Sequence, residues 1–549
     1  MQRSNAKGAV FRRGDAGFED AVLGTSFSAR DPGRRPDTVV QANDIYDVMA
    51  AVRQAEQDGL RIGMCSGGHS WAQNHIRDGG MMLDLSRLNS IEVNATKMTA
   101  LVGPGCVAGE LNLALVPHGL FFPTAHAWTV GMGGFLLQGG FGWNSRTMGL
   151  GCQNVIGIDV VLADGTLVHA SESRNADLYW AARGAGPGFF GVVVRFHLKL
   201  HARPRFIGMK LQVFRIRHLE DVMAWADRVG PQVAPNVEFQ IVMNPKAAVI
   251  NAHGLEVIAP VMADSWKQAR ECVDFMSHSV VRSKATLTLP LLPMSLNFMM
   301  KAGEKTLFLS NTHWSADNMW MDDPIGPLLP ALRRIADTQP PHPSHVLWLN
   351  WNPPAQRPDM AFSVEHRTYL ALYCGLGKGA DEARHSNWAT DHMRALEPWS
   401  RGIQLADENL ARRPARFVSE ANMVRLQQVR AKYDPQGRFH AWMGEATQHP
   451  MDSQGKLTKA EWRYECVSQS AYPRAARLFQ TLDAHRRSDL FPESADLHSW
   501  CRPYYHRMVA IAGAAASGVY HRKSLPSGIT TSAQRHLARQ RRATGCGQR

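Results

Sequence analysis

The chain lacks any run of about 18 apolar residues, so no membrane-spanning helix is predicted. Its opening segment, Met1 to Lys7, has no apolar core of the secretory kind, and the expected compartment is the cytoplasm. The eight cysteines are scattered, at 65, 106, 152, 272, 374, 466, 501 and 546, without a Cys-x-x-Cys pair. That spacing holds no structural zinc ion, and a disulfide framework is not expected in a chain of 549 residues; no metal is predicted. The phosphate loop Gly-x-x-x-x-Gly-Lys-Ser/Thr is missing, and so is any repeat of 20–50 residues.

The net charge of +13 is uneven. From Glu445 onward there are 16 Lys/Arg against 8 Asp/Glu, which places +8 in the last fifth of the chain. This tail has no recognition motif and no regular interleaving of aromatic and basic residues, so no nucleic-acid partner is expected.

What is present is periodicity. Thr38-Val39-Val40 reads as a strand. A helix follows, capped by Asn43 or Asp44 and closed near Gly59, with Ile45, Val48, Met49 and Val52 at helical spacing. Residues 60–62 and 81–85 read as strands, 91–102 as a strand pair and 109–118 as a helix ending at Gly119. Ala163-Asp164-Gly165 is a hairpin signal between two apolar runs. Residues 172–182 read as a helix and 192–200 as a strong strand. After about residue 204 longer strands (208–214, 256–260, 368–374) alternate with long amphipathic helices (219–229, 264–277, 380–396, 419–433). The fold class is therefore α+β. Length alone calls for more than one core.

Glycine is concentrated in three loops: Ser66-Gly67-Gly68-His69-Ser70, then Val130 to Trp143, then Arg183 to Gly188. Clustered glycines let backbone amides approach a ligand and point together, and a pyrophosphate suits such an array. Gly103-Pro104-Gly105-Cys106-Val107-Ala108 nearly matches a dinucleotide fingerprint. No acidic residue follows at the distance a ribose requires, and Pro104 intrudes on the turn; a tight strand-to-helix turn is the better reading. By itself, a loop histidine such as His69 reads as a solvent-exposed residue.

Taken in order, Arg34-Arg35-Pro36, Ser66-Gly67-Gly68-His69-Ser70-Trp71, Thr129-Val130-Gly131-Met132-Gly133-Gly134, Trp180-Ala181-Ala182-Arg183-Gly184, Phe190-Gly191-Val192-Val193 and Lys432-Tyr433-Asp434-Pro435 resemble the vanillyl-alcohol oxidase / para-cresol methylhydroxylase superfamily, and within it the berberine bridge enzyme-like branch. The resemblance spans roughly 34–444. It implies a lead-in (1–33), a two-subdomain FAD-binding region (34–203), a substrate domain with an antiparallel sheet (204–418) and a segment returning to the FAD domain (419–444). A basic extension (445–549) lies beyond it and is expected to be partly disordered.

The same resemblance implies FAD as cofactor, bonded covalently through His69, with Ser66, Gly67, Gly68, Ser70, Thr129, Gly131, Gly133, Gly134, Gly140, Gly191 and Val193 around it. Relatives often form a second bond through a cysteine where this chain has Ala127, so a single linkage is expected. Cys65 replaces a basic residue common before the loop, and core packing is its expected role. Val130 occupies the position associated with oxygen access. The expected reaction takes a hydride from a substrate C–H (alcohol, sugar or amine) to flavin N5, with O2 as the terminal acceptor. A dehydrogenase using another acceptor and a non-catalytic flavin-binding protein remain open, as does the oligomeric state.

The base does not carry over. The tyrosine that some relatives use has no counterpart in Arg401 to Asp407. Glu365, His366, Tyr369 and Tyr373 are the candidates, with the two tyrosines on one face of a strand. His126 and Trp143 lie in loops expected near the flavin ring, Trp143 chiefly as packing.

Overall fold

A computed structural model describes residues 8–377 and 382–444. The basic extension (445–549), and residues 380–381 of the helix expected over 380–396, lie outside the described residues. No helix among the described residues is long and apolar enough to cross a membrane.

Four short strands open the fold: β1 (Ala9–Arg12), β2 (Thr38–Gln41), β3 (Ile62–Cys65) and β4 (Met81–Asp84). They pair in the order β1-β2-β4-β3; β2, β4 and β3 run parallel, and β1 is antiparallel to β2. Parallel strands need a crossover connection, here from β2 to β3 on either side of β4. The helix Ile45–Gln57 provides it, with the Asp44 side chain accepting the Asp47 amide and Val48, Val52 and Ala55 buried. β4 is buried at every residue, as a parallel strand covered on both faces should be.

The lead-in is not a separate polar segment. β1 pairs with β2, and the helix Phe18–Leu23 buries Phe18, Ala21 and Val22 against Val39, Ile76 and Met82. Both elements flank the polar and glycine-rich stretch Arg12-Arg13-Gly14-Asp15-Ala16-Gly17, which obscures so short an apolar pattern.

Next come β5 (Ile91–Asn94), β6 (Thr99–Val102), β7 (Leu120–Phe121), β8 (Val155–Val161), β9 (Leu167–Ala170), β10 (Val192–Lys199) and β11 (His201–Ala202). Five of them form an antiparallel sheet in the order β5-β6-β10-β8-β9, and β7 pairs with β11. The expected hairpin joins β8 to β9, with Gly165 at φ 73°. The helix Ala108–Leu115 follows β6, continues as a 3-10 turn and ends at Gly119.

The second half is built on seven antiparallel strands: β12 (Phe206–Arg215), β13 (Gln240–Ala247), β14 (Ala252–Ala263), β15 (Leu287–Pro293), β16 (His313–Met321), β17 (His345–Asn350) and β18 (Thr368–Leu376). Their order is β15-β12-β14-β13-β17-β18-β16. Alternation divides the two faces. On β14, Leu255, Val257, Ala259 and Val261 enter a core shared with the helices Leu219–Val229, Leu329–Asp337 and Trp388–Ala395. Glu256, Ile258 and Pro260 face the other way, into a cavity.

The sequence reading did not resolve β13, β15, β16 or β17. Along Ala316–Met321 of β16 every residue is buried, both registers are occupied alike, and the period-two signal fades. The helix expected over 264–277 is two helices, Trp266–Cys272 and Asp274–Ser277. The one over 380–396 is also broken, into Glu382–His385 and Trp388–Ala395.

The return to the first half begins earlier than 419. Ile403, Leu405, Leu410, Phe417 and Val418 already pack in the core that holds β8 and β10. The helix Glu420–Tyr433 follows, capped by Ser419, and Phe439 then bridges to Ile62 beside β3. The return is tied to β16 by Arg413, whose guanidinium donates to Asp317 at 2.6 Å and to the Asn318 carbonyl, with both ionic side chains almost wholly buried. Removing one partner leaves a buried charge uncompensated. Arg413→Ala is expected to lower unfolding free energy by about 3–5 kcal/mol, read from the midpoint of denaturant unfolding.

Candidate active site

The glycine loops meet edge to edge. A Cβ on Gly67 would lie 2.3 Å from the Gly131 amide nitrogen, and one on Gly131 would lie 2.5 Å from that of Gly67. Gly68, at φ 68°, passes so close to the Thr25 carbonyl that a Cβ would be 1.7 Å from its oxygen. Only glycine permits both approaches. Ser66 Oγ accepts the Gly134 amide at 3.3 Å, and the space beyond Gly134 is open. The Gly103–Ala108 turn supports this loop: the Pro104 and Cys106 carbonyls accept the Gly133 and Met132 amides. It is a tight turn, as read from the sequence.

These loops form one wall of a cavity of about 500 Å³. Ser66, Gly67, Gly68, His69, Ser70, Val130, Gly131, Gly133, Gly134, Gly140, Gly191 and Val193 line it, together with Ala127, His126 and Trp143. The opposite wall is the free face of the seven-stranded sheet, including Tyr369 and Tyr373. Thr129 stands behind His69, its Oγ 2.9 Å from His69 Nε2. Phe27 stacks on the His69 ring at 4.3 Å.

Two candidate bases lie elsewhere. Glu365 does not line the cavity; it accepts from Arg357 at 2.6 Å and from Trp351 Nε1 at 2.7 Å. His366 is held by Asp322 at 2.6 Å. Both precede β18, and their neighbours already satisfy them. Cys65 is buried, and burial raises its thiol pKa, in keeping with a packing role.

The residue that sequence reasoning missed is Asp407. Tyr369 and Tyr373 both donate their hydroxyls to its Oδ2, the second at 2.8 Å, and Trp71 Nε1 donates to Oδ1 at 2.6 Å. Burial raises the Asp407 pKa, while these three donors pull the other way. Both tyrosines are pushed well above 10, first by burial and then by the Asp407 charge. The tyrosines therefore stay protonated, and the carboxylate is the group able to take a proton. The signal was present: Asp407 ends the stretch where a tyrosine had been sought. Its partners are more than 30 residues away, so spacing alone could not select it.

The two ends of the cavity differ in charge. Around Ile62 and Gly63, Arg77 lines it, and burial followed by Arg77, Arg61 and Arg430 pushes His440 down to about 3. Toward the sheet the lining acids are Glu256 on β14 and Asp407 on the return segment. A glycine-lined, positive cleft opening into an apolar chamber fits a dinucleotide whose phosphates lie at one end and whose ring reaches the other. These features define a flavin-binding oxidoreductase.

Comparison with known proteins agrees. A family profile described as an FAD binding domain matches residues 36–171. The FAD-linked oxidoreductase penO of Penicillium crustosum is 30% identical over 433 residues, covering 78% of this chain and 94% of that protein. Among solved structures, 6-hydroxy-D-nicotine oxidase of Arthrobacter nicotinovorans superposes with a TM-score of 0.69 at 22% identity, covering 79% of this chain and 97% of the other. The BBE-like 1 protein of Physcomitrella patens gives 0.67 at 19% identity, covering 80% and 97%. The chain belongs to the FAD-linked oxidoreductases and is an FAD-dependent enzyme, and its fold is the one shared by the solved nicotine oxidase and BBE-like structures.

Two buried cavity histidines set a pH response. Burial, then Arg34 and Arg77, holds His75 at about 3, and burial holds His345 at about 4, against an ordinary 6.5. The unfolded chain takes up these protons as pH falls through 6.5, and the folded chain does so only further down. Their contribution is therefore complete above pH 6.5 and is lost toward pH 4 and below. The expected slope is up to about 1.4 kcal/mol per pH unit for each histidine. His75→Gln should flatten it, measured as denaturation midpoints between pH 7 and 5.

Proposed function

We propose that the chain oxidises a small molecule at a C–H bond beside a hydroxyl or amine, with O2 as electron acceptor. The observation that carries this reading is Asp407, held by two tyrosines and a tryptophan in the same cavity that the glycine loops line. FAD, when bound, supplies the hydride acceptor. Asp407 takes the proton of the substrate's hydroxyl or amine, directly or through the hydroxyl of Tyr369 or Tyr373. Trp71 fixes the second carboxylate oxygen, which orients the first toward the tyrosines. The sheet face excludes water with Leu211, Val242, Leu347 and Leu349. Val130 lines the cavity, which supports an open path for O2.

His69 is suited to a covalent bond. Burial pushes its pKa down to about 4, so the imidazole is neutral and nucleophilic. Thr129 has one hydroxyl proton, and Glu304 Oε1 accepts it at 2.6 Å. Thr129 then receives a hydrogen bond from His69 Nε2–H. That tautomer leaves the lone pair on Nδ1, the atom we assign to the linkage. A bond at Nδ1 would make Nε2–H more acidic, and Thr129 and Glu304 would hold that proton. Ala127 lines the cavity with no nucleophile, in keeping with a single bond.

After acid precipitation and proteolysis, mass spectrometry is expected to find flavin on the peptide containing His69. His69→Ala should release all flavin to the supernatant, and Thr129→Val should lower the covalent fraction. Flavin freed by acid from the unaltered protein would count against the linkage. Asp407→Asn should cut turnover by ~10²–10⁴-fold with FAD content unchanged. One peroxide per reduced flavin on mixing with air is expected, and its absence would sink the O2 assignment.

A further inference from the structure

Glu256 is a carboxyl in an apolar wall. It projects from the middle of β14 into the cavity and is only 8% exposed. Its register partners on the neighbouring strands are Val213 and Val242, and Ile258 follows it on the same face. Oε1 accepts the Ala248 amide at 2.6 Å, across the β13–β14 hairpin. Burial raises its carboxyl pKa to about 7, with the Ala248 amide pulling the other way. Among the described residues no cation is paired with this group to offset its desolvation, and a buried carboxylate of this kind is stabilised by an opposite charge.

Strand pairing places Glu256 relative to Asp407. Glu256 pairs with Val242, Val242 with Leu347 and Leu347 with Ala371. Ala371 lies between Tyr369 and Tyr373, the two residues that hold Asp407. Three strand spacings separate the ends of this row, roughly 14 Å. The floor between them is Val242 and Leu347, both apolar.

We propose that Glu256 anchors a protonated amine of the substrate, at the end of this row opposite Asp407. The substrate class is an elongated apolar molecule with a cationic nitrogen at one end and the carbon to be oxidised toward the other. This rests on the sheet face being the substrate wall of the oxidase assigned above.

The hydrogen bond to Ala248 could alone account for a carboxyl here, so the test separates charge from shape. Glu256→Gln keeps an acceptor for Ala248 and removes the charge; Glu256→Asp keeps the charge. The probes are 4-phenylbutylamine and the neutral 4-phenylbutanol, titrated into the full chain. Binding is read from flavin absorbance and, independently of flavin, from the fluorescence of the cavity residues Trp71 and Trp143. The amine is expected to bind at least 10-fold more tightly than the alcohol. E256Q should abolish that preference while leaving alcohol affinity and melting midpoint unchanged, and E256D should retain it. Equal affinities in the unaltered protein, no binding of the amine, or a preference that survives in E256Q overturns the proposal. If E256Q does not fold, loss of the preference in E256D overturns it. Neither readout requires turnover or peroxide, so failure of the oxidase reading and failure of this one are told apart.

Discussion

The contact on which the site depends is the one between Gly67 and Gly131. Each glycine fills the space where the other's Cβ would be, and this brings the loop after β3 against the loop before the helix Met132–Leu137. Three consequences follow from that single approach. His69 reaches Thr129, Ser66 reaches the Gly134 amide, and an open channel is left beyond Gly134. A side chain at either position would separate the loops and with them the histidine from its hydroxyl partner. The Gly103–Ala108 turn holds the second loop from behind through its backbone carbonyls.

Around this contact the fold divides the electrostatic work between its halves. The first half gathers arginines and histidines at the end lined by Ile62 and Gly63, where anionic phosphates suit the field. The second half presents an apolar sheet face that carries Glu256, and the return segment adds Asp407 to the same cavity. One face of the sheet is packed by helices; the other lines the cavity. Period-two alternation along β14 and β18 produces that separation. The return segment, held to β16 by the Arg413–Asp317 pair, carries Asp407 into the chamber between the halves.

Local signals were legible in the chain. Gly67, Gly68 and His69 stood out as one of three glycine-rich loops in an ordered family pattern, and Asp44 and Gly165 announced their cap and turn roles through short-range chemistry. Glu365 misled because an acid near a strand looks available until its partners are known; Arg357 and Trp351 satisfy it. Asp407 was illegible for the converse reason. Nothing near it in sequence marks it, and its hydrogen bonds reach to Trp71, Tyr369 and Tyr373.

By itself the sequence determined the FAD-binding character of the first half and the α+β class, and it marked the glycine-rich loop that carries His69. Those features rest on backbone conformations that glycine alone adopts and on periodicities within one element, so neighbouring residues encode them. Only the tertiary structure brought Asp407 onto Tyr369 and Tyr373, joined His69 to Thr129 and Glu304, and turned Glu256 into the cavity. Each of these depends on two or three segments far apart in the chain converging on one atom, and on the burial that follows. No residue carries that information until the sheet has closed over the loops.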